Sequence, residues 1–254
     1  MWMLALNLLN EGGEMRWMSM DGEQEQRDVP GLAFAHHDFT VMPGGKVAAL
    51  AWHMPGAEVE SDLVIRSPDG TVETPFTIGG NLYRSDSFHA NALHAIDDGG
   101  FTIADRNPNV LVKVSATGTP EWQLGGVCDG APAGATHCSA QSWQVVHGHH
   151  LLADGTLLLF NNAGDDVPAH VLEYRLNDTQ SGLGATLVKD DAGRFASNTL
   201  GDVQRLPGGN TLVTYSGDGK VVELDPDWNE VQTFTVRVGY SSWRPTLYGP
   251  PARP

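Results

Sequence analysis

Basic side chains are scarce in this chain: 15 Lys and Arg stand against 31 Asp and Glu, a formal net charge of −16 over 254 residues. Nucleic-acid binding relies on Lys and Arg to neutralise phosphates, so this balance argues against that partner class. No segment approaches the roughly 20 apolar residues that a membrane-spanning helix needs, and no segment carries the pattern of a long amphipathic helix. A phosphate-cradling glycine loop, a serine nucleophile elbow and a CxxC pair are also missing. Cysteine is reduced to Cys128 and Cys138, on either side of a Gly/Ala/Pro-rich loop. A disulfide closing that loop is the expectation for an exported protein, with two unpaired thiols as the alternative in a reducing compartment. The start, Met1-Trp2-Met3-Leu4-Ala5-Leu6, is apolar but lacks the charged lead, long apolar core and cleavage site of a secretory signal, and reads as a strand.

What the chain has in quantity is turn-forming residues and a repeat. Thirty glycines and fifteen prolines suit short strands joined by tight turns. Turn onsets at Pro43, Ala95, Ala153 and Pro207 recur at spacings of 52, 58 and 54 residues. Each is embedded in four β-branched, alternating runs. The clearest set runs 145–152, 156–160, 170–176 and 186–189, and another runs 202–206, 210–216, 220–224 and 231–236. Four-stranded antiparallel units at this period are the mark of propeller blades. The N-terminus contributes a partial unit without a first strand, and residues 242–248 form a strand without partners. The expectation is therefore an all-β propeller spanning residues 1–254, with five visible blades, in which the C-terminal strand completes the N-terminal blade and hides its edge.

The first run of each unit lines the channel of a propeller. His37, His89 and His147 each stand six residues before a turn onset, and Gly201 is their counterpart in the fourth unit. Three convergent imidazoles can ligate a metal, or they can hold an anion while one of them acts as nucleophile or acid/base. Arg106, ending a second strand, favours an oxyanion over a divalent cation, because it is a permanently charged, fork-shaped donor. Asn91 and His149 each follow a channel histidine by two residues, which places them on the same strand face as candidate substrate contacts. Asp38 and Asp202 take matched positions facing away from the channel, as braces for neighbouring strands. His36, His53, His94, His137, His150 and His170 read as structural or surface residues.

Several segments resemble the arylsulfotransferase family of propellers. They are His37-Asp38-Phe39, Phe88-His89-Ala90-Asn91, Ala104-Asp105-Arg106-Asn107, Glu121-Trp122-Gln123-Leu124-Gly125-Gly126, His147-Gly148-His149-His150 and Val203-Gln204-Arg205-Leu206-Pro207-Gly208-Gly209-Asn210. The resemblance runs from about residue 34 to the C-terminus. It implies sulfuryl transfer from a phenolic sulfate ester to a phenol by a ping-pong route through a sulfohistidine, with no nucleotide donor, metal or other cofactor. His147 would be the nucleophile; His37, His89 and Arg106 would clamp the sulfuryl group, with Asn91 beside them. The family builds six blades and is usually exported, whereas five blades and no leader are read here. The resemblance thus implies a shortened or N-terminally truncated member, periplasmic or secreted. Two other readings of the same residues are a non-catalytic propeller that binds a small anion or a protein partner, and a zinc hydrolase using the three histidines.

Overall fold

The computed structural model describes residues 2–6, 13–19, 21, 23–27, 29–53, 61–80, 82–83, 85, 88–126, 137–139, 143–163, 167–179, 182–192 and 194–242. Nearly all of the regular structure is antiparallel strand, arranged as a propeller. The first sheet holds β1 (Trp2–Leu6), β2 (Gly13–Met18) and β3 (Glu25–Gln26). The second holds β4 (Ala35–Val41), β5 (Val47–Trp52), β6 (Ser61–Arg66) and β7 (Val72–Ile78). In the third, β8 (Ala90–Ala95), β9 (Phe101–Asp105), β10 (Val110–Val114) and β11 (Pro120–Gly125) are joined by β12 (His137–Ser139), which pairs parallel to β11. The fourth contains β13 (Val146–Leu151), β14 (Thr156–Asn161), β15 (His170–Thr179) and β16 (Gly182–Ala192). The fifth contains β17 (Asp202–Arg205), β18 (Thr211–Tyr215), β19 (Lys220–Leu224) and β20 (Glu230–Thr235). Cys128 and residues 243–248 lie outside the described residues, and with them the expected disulfide and most of the expected closing strand.

The core is divided among the gaps between consecutive sheets. Leu50, Leu63, Phe101 and Ile103 fill the gap between the second and third sheets. Leu111, Leu124, Leu157 and Leu159 fill the next, and Phe160, Val171, Val213 and Tyr215 the one after that. Met15, Val29, Ala49 and Val64 join the first sheet to the second. Central strands are buried on both faces, so β5 and β14 are buried along their whole length. Each fully buried aliphatic or aromatic side chain here contributes about 1.5–3 kcal/mol of transfer free energy. The gaps therefore hold the ring together as much as the ladders hold each blade.

First strands of successive blades run side by side, in the order β4, β8, β13, β17. Polar contacts stitch them. Asp38 accepts from the backbone N–H of Leu93 (2.7 Å), Asn91 donates to the carbonyl of Val146 (2.8 Å), and the N–H of Gly148 donates to the carbonyl of Gly201 (3.2 Å). Asp38 thus braces a neighbouring strand, as its position in the sequence suggests. After β20 the chain returns to this inner layer, where Gly201 donates to Gly239 (3.0 Å) and the Tyr240 hydroxyl donates to the carbonyl of Asn91 (3.2 Å).

The turn register corrects one alignment read from the sequence. The first-to-second-strand turns are closed by N–H···O bonds from Met42 to Lys46, Ile96 to Gly100, Leu152 to Thr156 and Leu206 to Asn210. In the third sheet this begins the turn at Asp97 rather than Ala95, making the spacings 54, 56 and 54 residues. Counting back, the residue equivalent to His37, His147 and Gly201 is Asn91, and His89 lies two residues upstream. Gly201 has no histidine because its backbone is left-handed (φ 105°) and an added Cβ would lie 2.2 Å from the Phe160 ring.

Gly148 is required for a different reason: an added Cβ would lie 2.1 Å from Asp202 Oδ1 and 2.5 Å from its Cα. Gly148→Ala should destabilise the protein by about 1–3 kcal/mol through overpacking. Gly208→Ala, with nothing within 4 Å of the new atom, should stay within about 0.5 kcal/mol. Chemical-denaturation midpoints of the two variants against wild type check this.

Candidate active site

The inner ends of β4 and β8 bring two predicted histidines into direct contact. His37 Nε2 and His89 Nε2 are 3.0 Å apart, with the rings edge to face at 4.6 Å. His37 reaches this position from a left-handed backbone (φ 53°), a conformation that non-glycine residues hold only where the surroundings enforce it. A β-bulge between Ala35 and Phe39 lies at the same place. His89, just ahead of β8, is fixed through its main chain: its N–H donates to Asp105 Oδ1 (2.8 Å) and its carbonyl accepts from Arg106 N–H (3.2 Å). The corner at the end of β9 thereby ties His89 to Arg106.

The hydrogen-bonded chain extends past His37. His37 Nδ1 meets His36 Nδ1 at 2.8 Å, and His36 Nε2 meets Ser61 Oγ at 2.9 Å. The His36 ring stacks on Trp52 with centroids 3.7 Å apart, and the same indole presents an edge to His37 and His89. The sequence reads His36 as a structural or surface residue and does not single out Trp52 or Ser61. The adjacent pair His36-His37 was the available signal: alternation puts one ring in the channel and the other behind it.

His147 lies on β13, buried, with its Nδ1 2.5 Å from Asn162 Oδ1 and 3.4 Å from the carbonyl of Val145. Asn162 follows the last residue of β14, in the place that Arg106 takes after β9. Its Nδ2 donates to the carbonyls of Ser197 (2.5 Å) and Leu200 (2.9 Å). The Arg106 guanidinium is close enough to His37 and His147 to disfavour a proton on either ring. The Asp105 carboxylate accepts from the Tyr83 hydroxyl (2.6 Å), His89 N–H and Asn107 N–H (3.1 Å), and the Arg106 charge beside it also favours its ionised form. His37, His89, Arg106 and His147 thus occupy one neighbourhood.

Two further residues sit differently from expectation. Asn91 is fully buried and directs its amide nitrogen at Val146, so it links two first strands, while its Oδ1 has no partner among the described residues. His149 does not share the channel face with His147. The bulge between Val146 and His149 breaks the two-residue alternation, and His149 Nε2 meets Thr102 Oγ1 (2.8 Å) between β9 and β13. It belongs to a separate group with His94 and His150, whose ring centroids are 4.9 Å apart. These two line a cleft of about 990 Å³ with Trp122, Leu183 and Arg205, beside the first-to-second-strand turns. Among the described residues no group of three His, Cys, Asp or Glu side chains is arranged to hold a metal ion.

Burial sets the protonation states. It pushes His37 down to about 2, with the neighbouring His36, His89, His147 and Arg106 charges adding to the effect, and His147 down to about 4. Both rings are neutral at ordinary pH, so the fixed positive charge of the site is Arg106. Burial acts in the opposite sense on carboxyls, holding Asp38 up to about 7, Asp105 up to about 6 and Asp202 well above the usual range.

A family model described as Arylsulfotransferase (ASST) matches residues 73–237, more than half of the chain, and this span contains His89, Arg106 and His147. No curated protein matches the sequence. Among solved structures, a protein of unknown function from Bacteroides caccae gives a TM-score of 0.57 at 11% identity, over 92% of this chain and 72% of that one. The periplasmic gluconolactonase PpgL of Pseudomonas aeruginosa gives 0.54 at 16% identity, over 92% and 67%. Virginiamycin B lyase from Staphylococcus aureus gives 0.52 at 11% identity, over 92% and 69%. At these identities the likeness is one of fold.

The buried histidines make stability depend on pH with a defined sign. His36, His37, His94, His147, His149 and His150 all have folded-state values lowered to between about 2 and 4, first of all by burial. The unfolded chain takes up protons near pH 6.5 and the folded one does not, so stability is complete above that pH and is lost as pH falls through and below it. Asp38, Asp105 and Asp202 act in the opposite direction over the same range, three groups against six. The melting temperature should therefore fall steadily from pH 7 to pH 4.5. A melting temperature that is constant or rises over that interval would contradict neutral burial of these rings.

Proposed function

The chain belongs to the arylsulfotransferase family, and on that premise we propose that it moves a sulfuryl group from a phenolic sulfate ester to a phenolic acceptor through a sulfohistidine at His147. The observation that carries this reading is the gathering of His37, His89, His147 and Arg106 at the inner ends of neighbouring blades. Sulfuryl transfer, like phosphoryl transfer, spreads negative charge over three peripheral oxygens, so its catalysis is mainly positioning and electrostatic stabilisation. Arg106 supplies fixed positive charge and a fork of N–H donors. His37 and His89 supply imidazole N–H groups, and the second amide proton of Asn91 adds a further donor.

The bonds change in two steps. The lone pair of His147 attacks sulfur, the sulfur–aryloxy bond breaks, and the electron pair leaves on the aryl oxygen. The acceptor phenol then attacks the same sulfur, the nitrogen–sulfur bond returns its pair to His147, and the phenolic proton is released. Dividing the transfer in this way lowers each barrier. The first leaving group requires a proton if it departs as a phenol. His37 and His89 are the candidates, since an anion bound beside them offsets the desolvation and the neighbouring positive charge that keep the His37 ring neutral. The hydrogen-bonded chain from His37 through His36 to the buried Ser61 hydroxyl holds the His37 ring in place for that role. Binding of a sulfate ester should accordingly be accompanied by proton uptake.

On mixing with 4-nitrophenyl sulfate without acceptor, intact mass should rise by one sulfuryl group, about 80 Da, and addition of a phenol should discharge it. His147→Ala should show neither adduct nor turnover. Arg106→Gln should lower kcat by on the order of a hundredfold or more, as loss of an oxyanion donor does. Wild-type turnover in His147→Ala would refute the assignment, and absence of both adduct and nitrophenol release in wild type would leave an anion-binding propeller as the better reading.

A further inference from the structure

We infer that Asn162 is a positioning residue that fixes His147 as the tautomer protonated on Nδ1, so that Nε2 carries the attacking lone pair; this rests on His147 being the sulfated residue. The assignment follows from chemistry that leaves one solution. The side-chain nitrogen of Asn162 faces two backbone carbonyls, those of Ser197 and Leu200, at 2.5 and 2.9 Å. Carbonyl oxygens only accept, so the group facing them must be the NH2 end, and the amide cannot be flipped without setting oxygen against oxygen twice. Its Oδ1 is therefore the atom 2.5 Å from His147 Nδ1. An amide oxygen also only accepts, so Nδ1 must bear the proton. The carbonyl of Val145, 3.4 Å from the same nitrogen, imposes the same requirement. With two acceptors at Nδ1 holding the one proton of the neutral ring, the lone pair is left on Nε2.

The arrangement also favours the charge that develops during transfer. As Nε2 bonds to sulfur the ring becomes cationic and its Nδ1–H becomes a stronger donor, while the proton itself stays in place. The contact to Asn162 Oδ1 strengthens at the moment of attack, which is the property of a group that lowers a barrier instead of tightening binding. Asn162 is fully buried, and both of its carbonyl partners lie in the segment leading to β17. The orientation of the imidazole on the fourth blade is thereby set by the backbone of the fifth. The sequence shows the place of this residue only by analogy: the position after the second strand is Arg106 in one blade and Asn162 in the next.

The test begins with the wild-type protein and needs no turnover. In protein labelled with 15N-histidine, the two ring nitrogens of His147, assigned by difference from His147→Gln, should report a protonated Nδ1 and an unprotonated Nε2 at pH 7.5. A protonated Nε2 would overturn the proposal. In Asn162→Ala, with only the more distant Val145 carbonyl left at Nδ1, the Nδ1–H preference should weaken and kcat should fall by on the order of a hundredfold, the scale of a misplaced reacting group, with KM little changed. A variant that keeps wild-type kcat would likewise overturn it. Failure of the functional reading is separable, because an Nδ1–H tautomer in a protein that forms no sulfuryl adduct sinks the transfer and leaves the tautomer assignment intact.

Discussion

A propeller blade ends on its inner side in a strand edge whose N–H and C=O groups have no further ladder to join. Around the channel these groups are buried, and buried backbone polar groups must find partners. Here the partners come from the adjoining blade: Asp38 takes Leu93 N–H, Asn91 gives to Val146, Gly148 gives to Gly201, and Asn162 gives to Ser197 and Leu200. Most other features of the site depend on this stitching. It brings the first strands close enough for His37 and His89 to touch, forces glycine at 148 and 201, and holds the amide that faces His147.

The same closeness decides the electrostatics. Several imidazoles, an arginine and three carboxyls cannot all be charged in a volume that water hardly enters. Burial resolves the conflict by keeping the imidazoles of His37 and His147 neutral and raising the carboxyls, and the Arg106 guanidinium is left as the positive centre. An anion entering such a site would favour protons that burial and Arg106 otherwise disfavour on the rings.

The second strands contribute as much to the site as the first. Trp52 ends β5, Asp105 ends β9 and Asn161 ends β14; each of the last two is followed by a residue aimed at the histidines, Arg106 and Asn162. One corner of the fold thus supplies a guanidinium in the third blade and an imidazole acceptor in the fourth. Division of labour among equivalent positions is what a repeat fold makes available, because each blade delivers a side chain to the same level from a different direction.

The sequence by itself determined the strands, the four-stranded period, the blades and the residue types at the inner ends, because alternation and turn chemistry are local and repeat visibly. It also singled out His37, His89, Arg106 and His147, which the fold gathers in one neighbourhood. It misjudged what depends on backbone detail: the Ala95 onset hid the fact that Asn91, and not His89, is the register equivalent of His37, and the bulge before His149 turned that ring away from the channel. A bulge inserts one residue and reverses every side chain beyond it, and no alternation pattern announces it. The tertiary structure alone decided which imidazoles touch, which are uncharged and what faces each ring nitrogen. Several of those contacts arise between blades some fifty residues apart in sequence, as where His37 meets His89, and the Asn162 amide that faces His147 within its own blade is held by Ser197 and Leu200 of the segment leading to the next.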